Sequence, residues 1–424
     1  MPSEKALYLA ERLWKWKPHS QGQRDWILCD AQVKVAACGR RWGKSESTAV
    51  DIALYALEHP GHIQILVAPT EDQTSVIMGD VERRLFSVPG LPRCLKYKQS
   101  PYKEITFNDG SGLWTPTHIM ARTAGTTGKG LRGRKAHRVI VDEAAYVNGK
   151  VMEAVITPLL ADFDGQLVEV STPNGRDHFH KNFVRGQDEN QGRYRSFRFP
   201  TSSNPYISPS YIANEKRTKP ERAFKAEYEA AFLSGEGTVF RKVAKAQTAT
   251  AQERAIPGHQ YVFGVDWGRS NDFTVIVVVD LTTREMVAFD RFNQISWSVQ
   301  RRRLVNLAGR FTPVSIVAEA NSIGGPNIEK LQEEGLPVFA FTTTNASKST
   351  LVDGLTLVLE QETFRLLADP VVDAELTAYE GKKLPSGLIS YSAPTGEHDD
   401  TAIAIMLGVW GMEQEANSNW FVTH

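Results

Sequence analysis

The sequence predicts an α/β protein of two sheet-bearing domains joined by a small helical segment, and three observations carry that expectation. Short apolar runs of strand length alternate with helical or loop stretches through the first half, as an open parallel sheet requires. One of these runs, "VKVAAC", feeds a glycine-containing turn that opens directly into a helical pattern. From Tyr261 three strand-like runs follow one another before helices and strands alternate again. The expected boundaries are residues 1–200 for the first domain, 201–250 for a helical linker or lid, and 251–424 for the last domain.

Composition agrees with packed domains. The 424 residues are 41% hydrophobic and 23% charged, so nothing marks the chain as disordered. No run of about 18 apolar residues is present, and the opening "MPSEKALYLAERLWKWKPH" lacks the apolar centre of a signal peptide. An intracellular protein is expected. Cys29, Cys38 and Cys94 are far apart, which argues against a disulfide framework or a zinc site. Formal net charge is zero, but residues 1–250 hold 36 Lys+Arg against 27 Asp+Glu, and the remainder 13 against 22. A basic first part suits phosphate backbones. An acidic second part gathers carboxylates, for which cation binding is one reason.

The elements follow in order. "VKVAAC", "IQILVAP", "HRVIVDE" and "QLVEVST" read as strands of the first sheet. Residues 200 to 235 combine turn chemistry with a charged helical pattern. In the last domain "YVFGVDWG", "FTVIVVVDL" and "EMVAFDRF" are consecutive strands, "VSIVAEA" and "PVFAFT" are strands separated by helix, and "HDDTAIAIMLGVW" opens a final helix. That succession is the order of an RNase H-like sheet.

The turn "CGRRWGKS" has the parts of a phosphate-binding loop. Gly39 and Gly43 give the turn its freedom, Lys44 supplies a cation for β- and γ-phosphate oxygens, Ser45 a hydroxyl for Mg²⁺, and Arg40 and Arg41 further positive charge. Cys38 stands where the usual first glycine would be, which departs from the standard loop subtype without removing any of these groups. "HRVIVDEAAY" adds a strand ending in Asp142, placed to hold Mg²⁺ through water, and Glu143, placed to orient or deprotonate the attacking water. Ser171 and Thr172, ending the next strand, can sense the γ-phosphate. In the last domain Asp266 and Glu319 follow apolar strands, and Asp399 and Asp400 open the final helix. Carboxylates at those three places suit two metal ions roughly 4 Å apart in phosphodiester cleavage. Asp272 is a weaker fourth candidate, better explained as a turn residue.

Taken together, "GRRWGKS", "VIVDEAA", "STPNG", "NPYISP", "FKAEYEAAF", "GVDWG", "AEAN" and "HDDTAIA" resemble the large terminase subunit of tailed double-stranded DNA bacteriophages, over essentially the whole chain. The resemblance implies a P-loop (ASCE/RecA-like) ATPase domain, a lid, and an RNase H-like nuclease domain. It implies ATP with Mg²⁺ at Lys44, Ser45, Asp142 and Glu143, coupling through Ser171 and Thr172, and two divalent metal ions, Mg²⁺ or Mn²⁺, at Asp266, Glu319, Asp399 and Asp400. The two adjacent aspartates leave open which one holds metal. "HSQGQRDW" resembles an adenine-contacting motif with Gln23 as its amide, and Arg132 in "GKGLRGRKAHR" resembles an arginine finger offered to a neighbouring subunit, with Arg134 as second choice. The implied partners are double-stranded DNA, the portal ring of a procapsid, the small terminase subunit and further copies of the chain in a ring, in the host bacterial cytoplasm and transiently at the portal vertex, with the free chain compatible with a monomer and no membrane involved. Two rivals are a helicase or remodelling ATPase, which would carry a second motor domain, and a non-catalytic DNA-binding protein, which the complete acid set and Lys44 oppose.

Overall fold

A computed structural model describes residues 4–108, 115–188, 190–233, 238–268, 272–321, 324–384 and 389–418. The chain divides into two units. The first holds an eight-stranded sheet, β1 (Val33–Cys38), β2 (Ile63–Ala68), β3 (Leu95–Lys98), β4 (Glu104–Phe107), β5 (Thr117–Thr123), β6 (Arg138–Asp142), β7 (Gln166–Ser171) and β8 (Tyr194–Phe199), in the order β3-β4-β5-β2-β6-β7-β1-β8. Strands β5 through β8 in that order are parallel, whereas β3 and β4 form an antiparallel edge. Helices cover the parallel part on both faces, which is why β1, β2, β6 and β7 read as unbroken apolar runs rather than alternating ones. The order has a direct chemical consequence. Strands β6, β7 and β1 are neighbours, so the turns after Asp142, Ser171 and Cys38 emerge side by side at one end of the sheet.

The second unit holds β9 (Tyr261–Asp266), β10 (Thr274–Asp280), β11 (Glu285–Phe292), β12 (Ser315–Glu319) and β13 (Val338–Phe341), in the order β11-β10-β9-β12-β13. The first three strands run antiparallel and the last two join β9 in parallel, as the RNase H-like order expects. Strands β9 and β12 carry Val265 opposite Ala318, so Asp266 and Glu319 leave adjacent strand ends. The helix Asp400–Ser418 lies directly on β9. A Cβ on Gly264 would stand 2.0 Å from the Ala404 carbonyl oxygen and 2.3 Å from the Gly408 nitrogen, so only glycine admits this approach. Because side chains two apart share a face of a strand, Asp266 points to the same side as Gly264 and meets the first turn of that helix.

The stretch 201–250, expected as a separate linker, is shared between the units. Residues 201–217 and 222–233 belong to the first, and residues from 238 belong to the second, where Phe240, Val243 and Ala246 enter the core. Charge-rich helical patterning indicates that helices lie here, but not which core their few apolar residues join. Among the described residues no helix is long and apolar enough to cross a membrane.

Candidate nucleotide and nuclease sites

In the first unit the phosphate loop is held by contacts distant in sequence. Gly39 N–H donates to the Phe199 carbonyl at 2.8 Å, and a Cβ on Gly39 would stand 2.6 Å from both Thr201 Oγ1 and the Tyr228 carbonyl oxygen. The loop carbonyls are taken up in turn: Thr201 Oγ1 donates to Arg40 O at 2.7 Å and Asn204 Nδ2 to Arg41 O at 2.9 Å, while His19 Nε2 lies 2.9 Å from Trp42 O. Trp42 is buried and stacks on Phe199 with ring centres 4.1 Å apart. With its carbonyls tied back, the loop is held open toward the cleft. Cys38, in the place of the usual glycine, lies at the end of β1 with its thiol fully buried and pushed up in pKa by that burial, so it packs and does not react.

Lys44, at the start of the helix Lys44–Glu58, hydrogen-bonds Glu143 and lies 3.6 Å from Asp142 Oδ1. Burial opposes its charge, but Asp142 and Glu143 more than compensate and raise its pKa. Asp142 is pushed up, first by burial, against the pull of Lys44. Glu143 is held in the left-handed region at φ 51° and its other oxygen accepts from Ser171 Oγ at 3.2 Å. Ser171 also accepts from Ala145 N–H, which ties β7 to the turn carrying the acid. Lys44 and Glu143 line a cleft of about 810 Å³ together with Gly39, Arg40, Arg41, Gly43, Ser45 and Thr172, with Tyr146, Tyr211 and Tyr228 as an aromatic wall. That volume is of the size a small-molecule ligand needs. A smaller cavity of about 370 Å³, lined by Tyr55, His59, His62 and His137 among others, lies at the opposite strand ends and holds none of the candidate site residues. The cations of the phosphate loop and Glu143 thus face the larger cleft.

Two expected residues stand elsewhere. Gln23 is buried, its oxygen accepting from His19 N–H at 2.7 Å and its amide donating to Ser47 Oγ at 2.7 Å, so here it braces the loop from behind. Arg132 is exposed and is not part of the cleft lining of its own chain. Its loop is a series of turns anchored by fully buried Leu131, not a helix, and Arg134 bonds back to Gly130 O at 3.2 Å. The sequence reading gives no role to Thr201, Asn204 or Glu227, although the last two fall within "NPYISP" and "FKAEYEAAF"; Glu227 pairs with Arg40 at 2.9 Å. The Asn of "NPYISP" is the available signal, as Asn in a turn commonly bonds backbone.

In the second unit Asp266, Glu319, Asp399 and Asp400 converge. Asp266 is 7% exposed and its pKa is pushed well above the carboxylate range, first by burial, then by the charge of Glu319 and a hydrogen bond with it, then by Asp400 and Asp399. Asp400 is pushed up to about 6, chiefly by burial; its carboxylate accepts from Phe273 N–H at 3.1 Å and lies 3.4 Å from His398 Nδ1. Asp399 is half-buried and faces Lys348. Glu375, which accepts from Thr401 N–H at 2.7 Å and pairs with Arg291 at 3.1 Å, fixes the helix start behind them. Asp272 is exposed, and its charge contributes to the upward push on Asp400. Among the described residues no three acidic, histidine or cysteine side chains already form a closed metal-ligand set. Hard oxygen donors crowded this closely are nevertheless the donor chemistry that divalent cations take, and a cation would relieve the repulsion that raises Asp266.

Comparison with known proteins agrees with both halves. Residues 36–255 match the family described as "Terminase large subunit, T4likevirus-type, N-terminal", and residues 263–409 match "Terminase RNaseH-like domain". The large terminase subunit of Thermus virus P23-45 is 26% identical over 408 residues, covering 89% of this chain and 84% of that one. The structure of the large terminase from a thermophilic bacteriophage is 14% identical, covers 93% of this chain and 98% of that chain, and superposes with a TM-score of 0.58. The same phage's large terminase in complex with ATP-γ-S gives a TM-score of 0.55 at 13% identity, covering 92% of this chain and 98% of that chain. With an ATPase unit and an RNase H-like unit on one polypeptide, the chain belongs to the terminase large subunit family.

Proposed function

We propose that the chain is the motor and nuclease of a tailed-phage packaging machine, hydrolysing ATP with Mg²⁺ in the first unit to drive double-stranded DNA through the portal ring into a procapsid, and cutting concatemeric DNA in the second at the start and end of packaging. The observation that carries this reading is the presence, on one chain, of a cationic phosphate loop facing Asp142 and Glu143 and of a separate four-carboxylate corner. Lys44 and Ser45 would receive the β- and γ-phosphates and Mg²⁺, with Asp142 held for the metal. Glu143, already fixed by Ser171, is the base that orients water, so loss of the γ-phosphate is transmitted to β7 through Ser171 and Thr172. Lys44 must exchange Glu143 for phosphate oxygens when nucleotide enters, which frees that carboxylate for water. Gln23 reaches adenine only if its present hydrogen bonds open.

In the second unit Asp266 and Glu319, with Asp400 and Asp399, would hold two Mg²⁺ or Mn²⁺ ions. Such ions supply an activated water and charge stabilisation at the leaving oxygen. The protein's own part is to fix Asp400 through Phe273 and the helix start through Glu375. A helicase reading would need a second motor sheet, and the antiparallel β9-β10-β11 order is not one. Arg132 would serve a neighbouring copy in a ring docked on the portal, and the small terminase subunit would deliver the DNA. The decisive experiment measures DNA-stimulated ATP hydrolysis and Mn²⁺-dependent plasmid cleavage on the same purified chain. Both activities are expected, and a chain with neither would refute the reading. Mixing Lys44→Ala with Arg132→Ala chains on portals should restore ATP hydrolysis above the sum of the two, and a merely additive rate would remove the trans role of Arg132.

A further inference from the structure

The carboxylate corner of the second unit contains a basic group that none of the sequence motifs includes. Lys348 stands in the first turn of the helix Asn345–Glu360, whose start is fixed by a reciprocal capping box between Thr344 and Ser347. Its ammonium lies 3.4 Å from Asp399 Oδ2 and 5.8 Å from the centre of the ring of Tyr379, which is fully buried. The lysine side chain is 21% exposed, so it is held against that ring and not loose in solvent. The two adjacent aspartates are thus treated differently. Asp400 is engaged by a backbone N–H and by His398, whereas Asp399 has a flexible side-chain cation as its partner.

We propose that Lys348 is a positioning residue of the nuclease site: its ammonium is the resident counter-ion of Asp399, and it competes with the divalent cations for the carboxylate corner. The inference rests on the nuclease reading of that corner. A unit positive charge within a few ångströms of the ligands repels an incoming dication, so the lysine sets the metal affinity below what the acids alone would give. Once a cation has displaced it, the ammonium stays at the edge of the site with Tyr379 behind it. There it favours the negative charge of the DNA phosphate, as a flexible point-charge donor can. Lysine in this place trades metal affinity for substrate positioning.

Titration of the full chain with Mn²⁺ alone, without DNA, tests this apart from catalysis. Lys348→Met and Lys348→Gln keep much of the packing against Tyr379 and remove the charge, and each should bind Mn²⁺ about tenfold more tightly. At saturating Mn²⁺ both should cut plasmid about tenfold more slowly, from the lost phosphate contact. Lys348→Arg, which keeps the charge, should hold Mn²⁺ with an affinity within about twofold of the unmodified chain. A melting curve identifies any variant that does not fold, and the remaining variants carry the comparison. Unchanged or weaker Mn²⁺ binding by the folded neutral variants would overturn the inference. An unmodified chain that neither binds Mn²⁺ nor cuts DNA would instead overturn the nuclease reading itself, and with it this one.

Discussion

The two acidic clusters of this chain are built on opposite charge balances. In the first unit Asp142 and Glu143 share Lys44, with Arg40 and Arg41 on the same loop, so the cleft is already provided with cations before any ligand enters. In the second, four carboxylates meet around Asp266 with Lys348 at the rim, and burial, followed by the charges of the neighbouring acids, raises Asp266 well above its ordinary range. The first arrangement suits an anion that brings a metal with it; the second suits cations brought together before the anion arrives. The average charge of the chain hides this difference, since an excess of Lys+Arg in residues 1–250 (36 against 27) is offset by an excess of Asp+Glu in the remainder (22 against 13).

The comparison can be broken at several points. The largest effect is expected at Glu143, where Glu143→Gln should lower ATP turnover by roughly 10² to 10⁴ while leaving nucleotide binding measurable, because a base is lost but the cationic loop remains. If turnover falls less than tenfold in a steady-state assay, Glu143 is a partner of Lys44 and not the base. Next comes Gly264, where a methyl would overlap the backbone of the final helix. Gly264→Ala should destabilise the second unit by about 3 kcal/mol or more in denaturant melts, with loss of the carboxylate corner. A variant of normal stability would mean that the helix does not seat on β9 as described.

Smaller effects sharpen the picture. Ser171→Ala removes the donor to Glu143 and should slow ATP hydrolysis about tenfold, the cost of one charge-assisted hydrogen bond, without altering DNA cleavage. A variant with the unmodified chain's kinetics would remove Ser171 from the coupling path. The smallest effect concerns pH. Glu169 is buried on β7, accepts from Asn182 Nδ2 at 2.8 Å and has its other oxygen unpartnered; burial pushes it up to about 8. A carboxyl with a raised folded pKa contributes stability that is fully present below its unfolded value and is lost as pH rises through the folded one. Glu169→Gln should therefore melt with the unmodified chain at pH 5 and above it at pH 8. Parallel melting curves at both pH values would show that Glu169 is ionised in the fold.

Much of this is legible in the sequence, for identifiable reasons. Asp142 and Glu143 lie at the end of β6 and Lys44 and Ser45 at the start of the helix that follows β1, all within short motifs, and parallel-sheet topology brings such strand ends and helix starts together. The strand order that assembles Asp266, Glu319 and Asp400 can likewise be read from the succession of apolar runs. What cannot be read depends on contacts across long separations. Thr201 and Asn204 hold the carbonyls of Arg40 and Arg41 from about 160 positions away, and nothing in the local pattern couples them. The motif around Gln23 suggests a residue facing a base, but its amide is satisfied internally by His19 and Ser47. Lys348 sits in an ordinary helix start, and only the packing of that helix brings it to Asp399. The division of 201–250 between units is hidden because its helical pattern is mostly charge, which gives a helix but not a docking face.

The central claim is that one chain carries two chemically independent sites, and a crossed measurement tests it most directly. ATP hydrolysis and Mn²⁺-dependent plasmid cleavage are measured on Lys44→Ala and on Asp266→Asn, each shown to be folded. Lys44→Ala should lose ATP turnover and still cut DNA, and Asp266→Asn should lose cleavage while hydrolysing ATP at close to the unmodified rate. Loss of both activities in either folded variant, or cleavage by Asp266→Asn at the original rate, would contradict the account.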